Sequence, residues 1–316
     1  MKKLLIGLLG TMMVMGIVAC GNTAHQKQDK EGQAVEQQQK RVFQLPEVPA
    51  MLQAPELRAK YVALHYWDHF DFRDTAYIRL PDITEQAAVN YMDLMGLVSV
   101  EVAQASLKTL VEKAAEEPLM MDYMWKTFFR YWHEPNSPLK NEDMFILFCK
   151  GVEQTPTVNL ALREKAAYLR QQAEKNRPGT PAADFVYTLA SGKQGSLYGL
   201  KAPYTLMFFY DPDCETCSEI KAAMKHSQRF QELVAQGQVK VLTVYPDEDV
   251  ELWRKRLPEM AKEWINAYDK EQKLTLEQRY DLTSIPSFYV LDKDKKVLLK
   301  DADWGQILHF FENKWL

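Results

Sequence analysis

The sequence predicts an α/β domain preceded by an all-α helical domain, on three observations. Apolar residues recur at helical spacing from about Val42 to Lys175, with no useful run of strand alternation. A Pro/Gly break, Arg177-Pro178-Gly179-Thr180-Pro181, follows a charged helix end. Beyond it, apolar runs of strand length alternate with amphipathic segments. At 316 residues the chain is also longer than one average domain needs. The expected division is residues 1–19 as signal, 20–41 as anchor and tether, 42–176 as helical domain and 178–316 as α/β domain.

In the helical part, Pro55 starts a helix carrying Leu57, Tyr61, Leu64 and Phe70 along one side. Pro81 and Thr84 mark the next start, with Thr84 as candidate N-cap. Ala88, Tyr91, Met95, Val98, Val102, Ala105 and Leu110 continue that run, which Pro118 ends or restarts. The most apolar helix carries Met121, Met124, Trp125, Phe128, Phe129 and Trp132. A loop around Pro135 and Pro138 precedes helices at Met144 to Cys149 and Val158 to Leu169, so five or six helices form a bundle.

In the α/β part, Asp184 to Leu189 reads as a short strand and Tyr204 to Tyr210 as a buried central one. A long helix from Cys214 to Ala235 turns Ile220, Met224, Phe230 and Val234 inward, and Gly237 stops it. Val239 to Tyr245 is a second buried strand, Val250 to Leu257 a short helix, and Leu276 to Tyr280 another. Ser287 to Leu291 and Val297 to Lys300 form a hairpin through the Asp292 to Lys296 turn, and Gln306 to Trp315 is a terminal helix.

The N-terminus addresses the chain to the cell envelope. Lys2 and Lys3 precede an apolar run from Leu4 to Ala19. That run is short for a membrane span, which needs about 20 apolar residues, and suits a signal peptide. It ends in Ile17-Val18-Ala19-Cys20, which resembles a bacterial lipobox. The resemblance implies cleavage before Cys20 and lipidation of its thiol, with each buried methylene worth about 0.8 kcal/mol of anchoring. An ordinary cleaved signal is the plainer alternative. Residues 22–40 hold almost nothing to bury and read as a flexible tether spanning about 25 Å. No acidic pair closely follows Cys20, which favours the periplasmic face.

The formal charge of −4, without basic runs, gives no reason to expect nucleic acid as a partner. The cysteines are Cys20, Cys149, Cys214 and Cys217. With Cys20 lipidated, three remain, too few for a disulfide scaffold in a chain this long. Cys149, within Phe145-Ile146-Leu147-Phe148, reads as a small buried hydrophobe. Cys214-Glu215-Thr216-Cys217 directly follows the first core strand and opens the long helix. Unpaired N–H groups and the helix dipole stabilise a thiolate there, and the thiolate is the nucleophile of disulfide exchange. The second cysteine lies one turn on, along the same face.

This order of elements, with a C-x-x-C at that place, resembles the thioredoxin fold. Thr283-Ser284-Ile285-Pro286-Ser287-Phe288-Tyr289 resembles the loop in which that family sets a cis-proline opposite its cysteines. The resemblance covers about residues 178–316 and is nearest to membrane-tethered thioredoxin-like proteins of the TlpA type. The N-terminal region is similar to a helical domain of unknown function found ahead of such modules in Bacteroidota-type lipoproteins. The resemblance implies Cys214 as attacking and Cys217 as resolving cysteine. It implies Pro286 as the cis-proline and the backbone of Ile285 as a contact for an extended substrate. It implies no cofactor, and as partners protein thiols and disulfides of the envelope, with an upstream electron donor left open.

The sequence also departs from the family. Asp213 stands where thioredoxins carry Trp, and Phe208 where they carry a buried carboxylate, so the resolving cysteine needs another base or water. Asp211, Asp213 and Glu215 crowd negative charge near Cys214, which favours reductase or isomerase over strong oxidase chemistry. Three other readings compete. A structural disulfide in a non-catalytic binding module is one. Half of a zinc site is another, but no second C-x-x-C or C-x-x-H completes it. A peroxiredoxin would need Pro and Thr where Met207 and Asp211 stand. His65 and His69 have a helical spacing that can bind a metal, but Tyr66, Trp67 and Phe70 around them suggest packing. The Trp125 to Trp132 stripe reads as core.

Overall fold

The computed structural model describes residues 41–135 and 137–314, and the expected signal, lipidated Cys20 and tether up to residue 40 lie outside them. The helical region holds α1 (Pro55–His65), a 3-10 turn (Thr75–Arg79), α2 (Pro81–Met95), α3 (Val100–Ala114), α4 (Pro118–Trp132), α5 (Glu142–Gln154) and α6 (Leu160–Ala173). Proline opens α1, α2 and α4, where its missing N–H would have had no helical partner anyway. Ser99, Asn141 and Asn159 cap α3, α5 and α6 by accepting N–H groups of Val102, Met144 and Leu162. Thr84 is not a cap. It lies inside α2, buried, and its hydroxyl donates to the Tyr77 carbonyl at 2.9 Å. The single run expected from Ala88 to Leu110 is two helices, because Gly96 closes α2 and Ser99 starts α3.

These helices share one apolar core. Phe128 stacks on Phe148 at 4.8 Å between ring centroids, and the Tyr91 and Ser106 hydroxyls meet at 2.7 Å. Cys149 is fully buried within this core, and burial pushes its thiol far above the ordinary value. Helix α1 ends at His65, so His69 lies beyond it and the two histidines do not share the helix that their spacing suggests. His65 instead meets Asp68 at 2.7 Å and packs on Tyr61.

The α/β region holds β1 (Val186–Leu189), β2 (Gln194–Ser196), β3 (Tyr204–Phe209), α7 (Glu215–His226), α8 (Gln228–Ala235), β4 (Val239–Tyr245), α9 (Val250–Arg256), a 3-10 turn (Leu257–Glu259), β5 (Ile265–Tyr268), α10 (Lys273–Leu276), β6 (Ser287–Leu291), β7 (Val297–Lys300) and α11 (Trp304–Lys314). The strands form one mixed sheet in the order β2-β1-β5-β4-β3-β6-β7, with β3, β4 and β5 parallel. The pleat of β3 divides its residues between two layers. Leu206 and Phe208 join a cluster with Cys217, Met224, Trp253 and Phe288, while Met207 and Phe209 join Phe185, Tyr280 and Tyr289 opposite.

The sequence-based reading omits β2, which is short and polar, and β5, whose Asn266 interrupts the apolar pattern. That carboxamide is satisfied internally, accepting from Thr243 at 2.8 Å and donating to the Ala261 carbonyl at 3.1 Å. The long helix expected from Cys214 to Ala235 breaks at Ser227, which takes an extended conformation. The short helix expected at Leu276 to Tyr280 lies earlier, at α10, and Tyr280 turns into the core instead.

The Arg177 to Pro181 break is not a free linker. Gly179 N–H donates to the Val297 carbonyl and Val297 N–H to the Thr180 carbonyl, both at 2.8 Å, so this segment covers the edge of β7. Lys300 reaches from β7 into the helical region, donating to Glu142 at 2.6 Å and to the Ala173 carbonyl at 2.7 Å. Asn176 donates to the Arg279 carbonyl and accepts the Ala183 N–H, each at 2.8 Å. Through such contacts the chain from Phe43 onward forms one compact unit.

Candidate functional site

The site stands where β3 hands the chain to α7. Tyr210 closes the strand side, and Asp211 shapes the loop by accepting the Asp213 N–H on its carboxylate at 2.7 Å and the Cys214 N–H on its carbonyl. Cys214 is the N-cap of α7, with extended backbone, and its Sγ accepts the Cys217 N–H at 3.1 Å. A sulfur thus does what a Ser or Asp oxygen does at an ordinary helix start. It receives one of the N–H groups that a helix leaves unpaired there.

The two sulfurs differ in surroundings. Cys214 is half-buried, whereas Cys217 is fully buried beside Leu206, Phe208, Tyr210 and Met224. Burial, reinforced by the contact with Cys214, pushes the Cys217 thiol up to about 12. Both are free thiols in this structure. One thiol is thus partly accessible and the other sequestered.

The Ile285–Pro286 bond is cis. Register places this loop at the same end of the sheet as the cysteines, because Ser287 pairs with Phe209 at the end of β3. Ile285 and Cys214 pack on the same apolar cluster. Cys214, Cys217, Ile285 and Pro286 thus lie toward one end of the sheet. Cys149 belongs to the helical core instead.

Phe208 stacks on Phe288 at 4.3 Å between centroids, so an apolar pair fills the place where a carboxylate was missed. The negative charge beside Cys214 is partly answered. Arg256 donates to Asp213 at 3.0 Å and to Glu259 at 2.9 Å, a pairing not read from the sequence because 43 residues separate Arg256 from Asp213. Lys221 was also missed. It is buried on the same stripe of α7 as Cys217 and Met224. That stripe was legible from the spacing of the three residues.

Among the described residues no cluster of three or more metal-ligating side chains occurs, and no helix is long and apolar enough to cross a membrane. A family model described as a domain of unknown function, DUF5106, matches residues 19–176, and a thioredoxin-like model matches residues 203–297. The crystal structure of a thioredoxin-like protein from Bacteroides caccae is 39% identical, with a TM-score of 0.77, over 86% of this chain and 99% of that one. The C-terminal domain of an uncharacterized protein from Bacteroides fragilis is 44% identical over 43% of this chain and 98% of its own, with a TM-score of 0.43. The thioredoxin domain of a thiol-disulfide oxidoreductase from Bacteroides vulgatus is 19% identical over 44% of this chain and 97% of its own, with a TM-score of 0.39. No curated protein matches the chain.

Proposed function

The chain belongs to the thioredoxin-like proteins that carry an N-terminal DUF5106 domain, and on that premise we propose that it is an envelope-tethered thiol–disulfide oxidoreductase working through Cys214 and Cys217. One observation carries the reading: the Cys214 sulfur caps α7 and accepts the Cys217 N–H, while Cys217 lies fully buried behind it. That arrangement supplies an accessible nucleophile and a sequestered resolver.

The chemistry runs in two exchanges. The Cys214 thiolate attacks one sulfur of a protein disulfide, the client S–S bond breaks, and a mixed disulfide forms. The Cys217 thiol loses its proton, and its thiolate attacks the Cys214 sulfur. The Cys214–Cys217 bond forms, and the client leaves as a dithiol. The client is reduced by two electrons and the pair is oxidised. The backbone of Ile285, ahead of Pro286, would pair with an extended client segment, a role supported by the packing of Ile285 and Cys214 on one cluster. The chemistry needs no cofactor. Cys20, as the lipidated residue, would hold the protein on a membrane, facing the periplasm, with envelope protein thiols and disulfides as clients. The crowding of Asp211, Asp213 and Glu215 supports the reductase or isomerase direction, moderated by Arg256 on Asp213.

Trapping tests this reading. Cys217→Ser, expressed and exported, should accumulate mixed disulfides with envelope proteins, identified by mass spectrometry, and Cys214→Ser should accumulate none. Empty results with both variants would favour a non-catalytic binding module.

A further inference from the structure

With Phe208 in place of a carboxylate, β3 offers Cys217 no base, yet a charged side chain lies one helical turn away on α7. Cys217, Lys221 and Met224 are the buried residues of α7. Side chains on a helix lean toward its N-terminus, so the Lys221 chain lies back over the turn that contains Cys217. Lys221 is 4% exposed, and its Nζ is buried without a hydrogen-bond partner among the described residues. The Nζ sits 5.6 Å from the centre of the Tyr210 ring, and Glu259 Oε2 is 3.8 Å away. Tyr210 and Cys217 belong to the same cluster. A buried ammonium that lacks hydrogen bonds is costly, and an apolar side chain such as Met224 would pack the stripe at less cost.

We propose that Lys221 acts through Cys217, its buried ammonium holding the resolving thiolate while that thiolate attacks Cys214. The inference rests on the dithiol reading above. Cys214 and Lys225 face this point from α7, the latter donating to the Glu259 carbonyl at 2.9 Å. Tyr210, Asp211 and Asp213 face it from the loop after β3, and Trp253, Arg256 and Glu259 from α9 and the turn beyond. Arg256 engages both Asp213 and Glu259, while the Asp211 backbone favours a Cys217 thiolate and its carboxylate opposes one. Lys221 is the buried cation of the group. In the step it serves, the Cys217 proton passes to water on the exposed Glu259 side and the Cys217 sulfur bonds to Cys214 Sγ. The Cys214–client S–S bond breaks, and the client thiolate takes a proton from water.

The test is stopped-flow reaction of the reduced full chain with dithiobis-nitrobenzoate across pH. Attack by Cys214 releases one coloured thiolate in a first phase, and attack by Cys217 releases the other in a second. Cys217→Ser, lacking that second phase, identifies it. Lys221→Met should slow the second phase about tenfold at neutral pH and displace its pH profile upward by about one unit, with the first phase within about twofold of wild type. Lys221→Arg should restore the profile. Glu259→Gln, which removes the counter-charge, should accelerate the second phase, and this arm stands even where Lys221→Met fails to fold. An unchanged profile in Lys221→Met, equal slowing of both phases, or no acceleration in Glu259→Gln would overturn the role of Lys221 alone. A wild type without a second phase would remove the dithiol reading and this inference with it.

Discussion

Alkylation of the reduced protein should separate its cysteines by orders of magnitude. The Cys217 thiol is raised from 9.0 to about 12, first by burial and then by its contact with Cys214. Below its pKa a thiol loses about tenfold in thiolate fraction for each unit of upward shift. Ionisation alone therefore makes Cys217 about a thousandfold less reactive than an unperturbed thiol, before its complete burial is counted. Cys149, in the helical core, should be slower still. Cys214 presents a half-buried sulfur at the helix start and should react first. The assay is timed alkylation with an isotopically distinct quench and peptide mass spectrometry. Repeated from pH 7 to 9, the Cys217 rate should rise about tenfold per unit without levelling, whereas an unperturbed thiol begins to bend over as pH nears its value of 9.0. A Cys217 rate within about tenfold of Cys214, or one that levels off below pH 9, would refute the reasoning.

Three further outcomes follow from the geometry. Lys300→Met should destabilise the chain by about 3 kcal/mol in chemical denaturation, because it leaves Glu142 half-buried without its cation. Burial already raises the Glu142 carboxyl, so that deficit should shrink as pH falls through its raised folded value and be gone below the ordinary value of about 4.3, where folded and unfolded states are both protonated. A deficit independent of pH would show that the Glu142 charge is not its source. Gly195→Ala should cost about 1–3 kcal/mol, since a Cβ there would lie 2.5 Å from the Tyr187 hydroxyl on the paired strand, and an unchanged thermal midpoint would contradict the register. Arg256→Ala frees Asp213 beside Cys214 and should slow alkylation by an anionic reagent a few-fold at low salt, with the difference fading in high salt.

The parts legible in the sequence are those that local chemistry specifies. β3, β4, β6 and β7 are contiguous apolar runs, and Cys214, Cys217 and Pro286 sit in short motifs whose spacing carries their meaning. The elements missed depend on tertiary partners. β5 contains Asn266, acceptable only because Thr243 and Ala261 satisfy it. Thr84 resembles a cap but is claimed by Tyr77, while Ser99, hidden inside a periodic run, does the capping. The Pro/Gly break reads as a domain boundary, but the sequence does not disclose that Gly179 and Thr180 bond to β7. At the site, Arg256 on Asp213 was invisible to local reading, whereas Lys221 carried a signal in its four-residue spacing from Cys217.

The most direct measurement of the central claim is redox titration of the full chain in glutathione buffers, with the free thiols of Cys214 and Cys217 counted by alkylation and mass spectrometry. The account predicts one reversible two-electron transition, lost in Cys214→Ser and in Cys217→Ser, at a potential more reducing than the about −120 mV of strong oxidases. A pair that remains dithiol at every buffer ratio, or a disulfide that forms and cannot be reduced again, would contradict it.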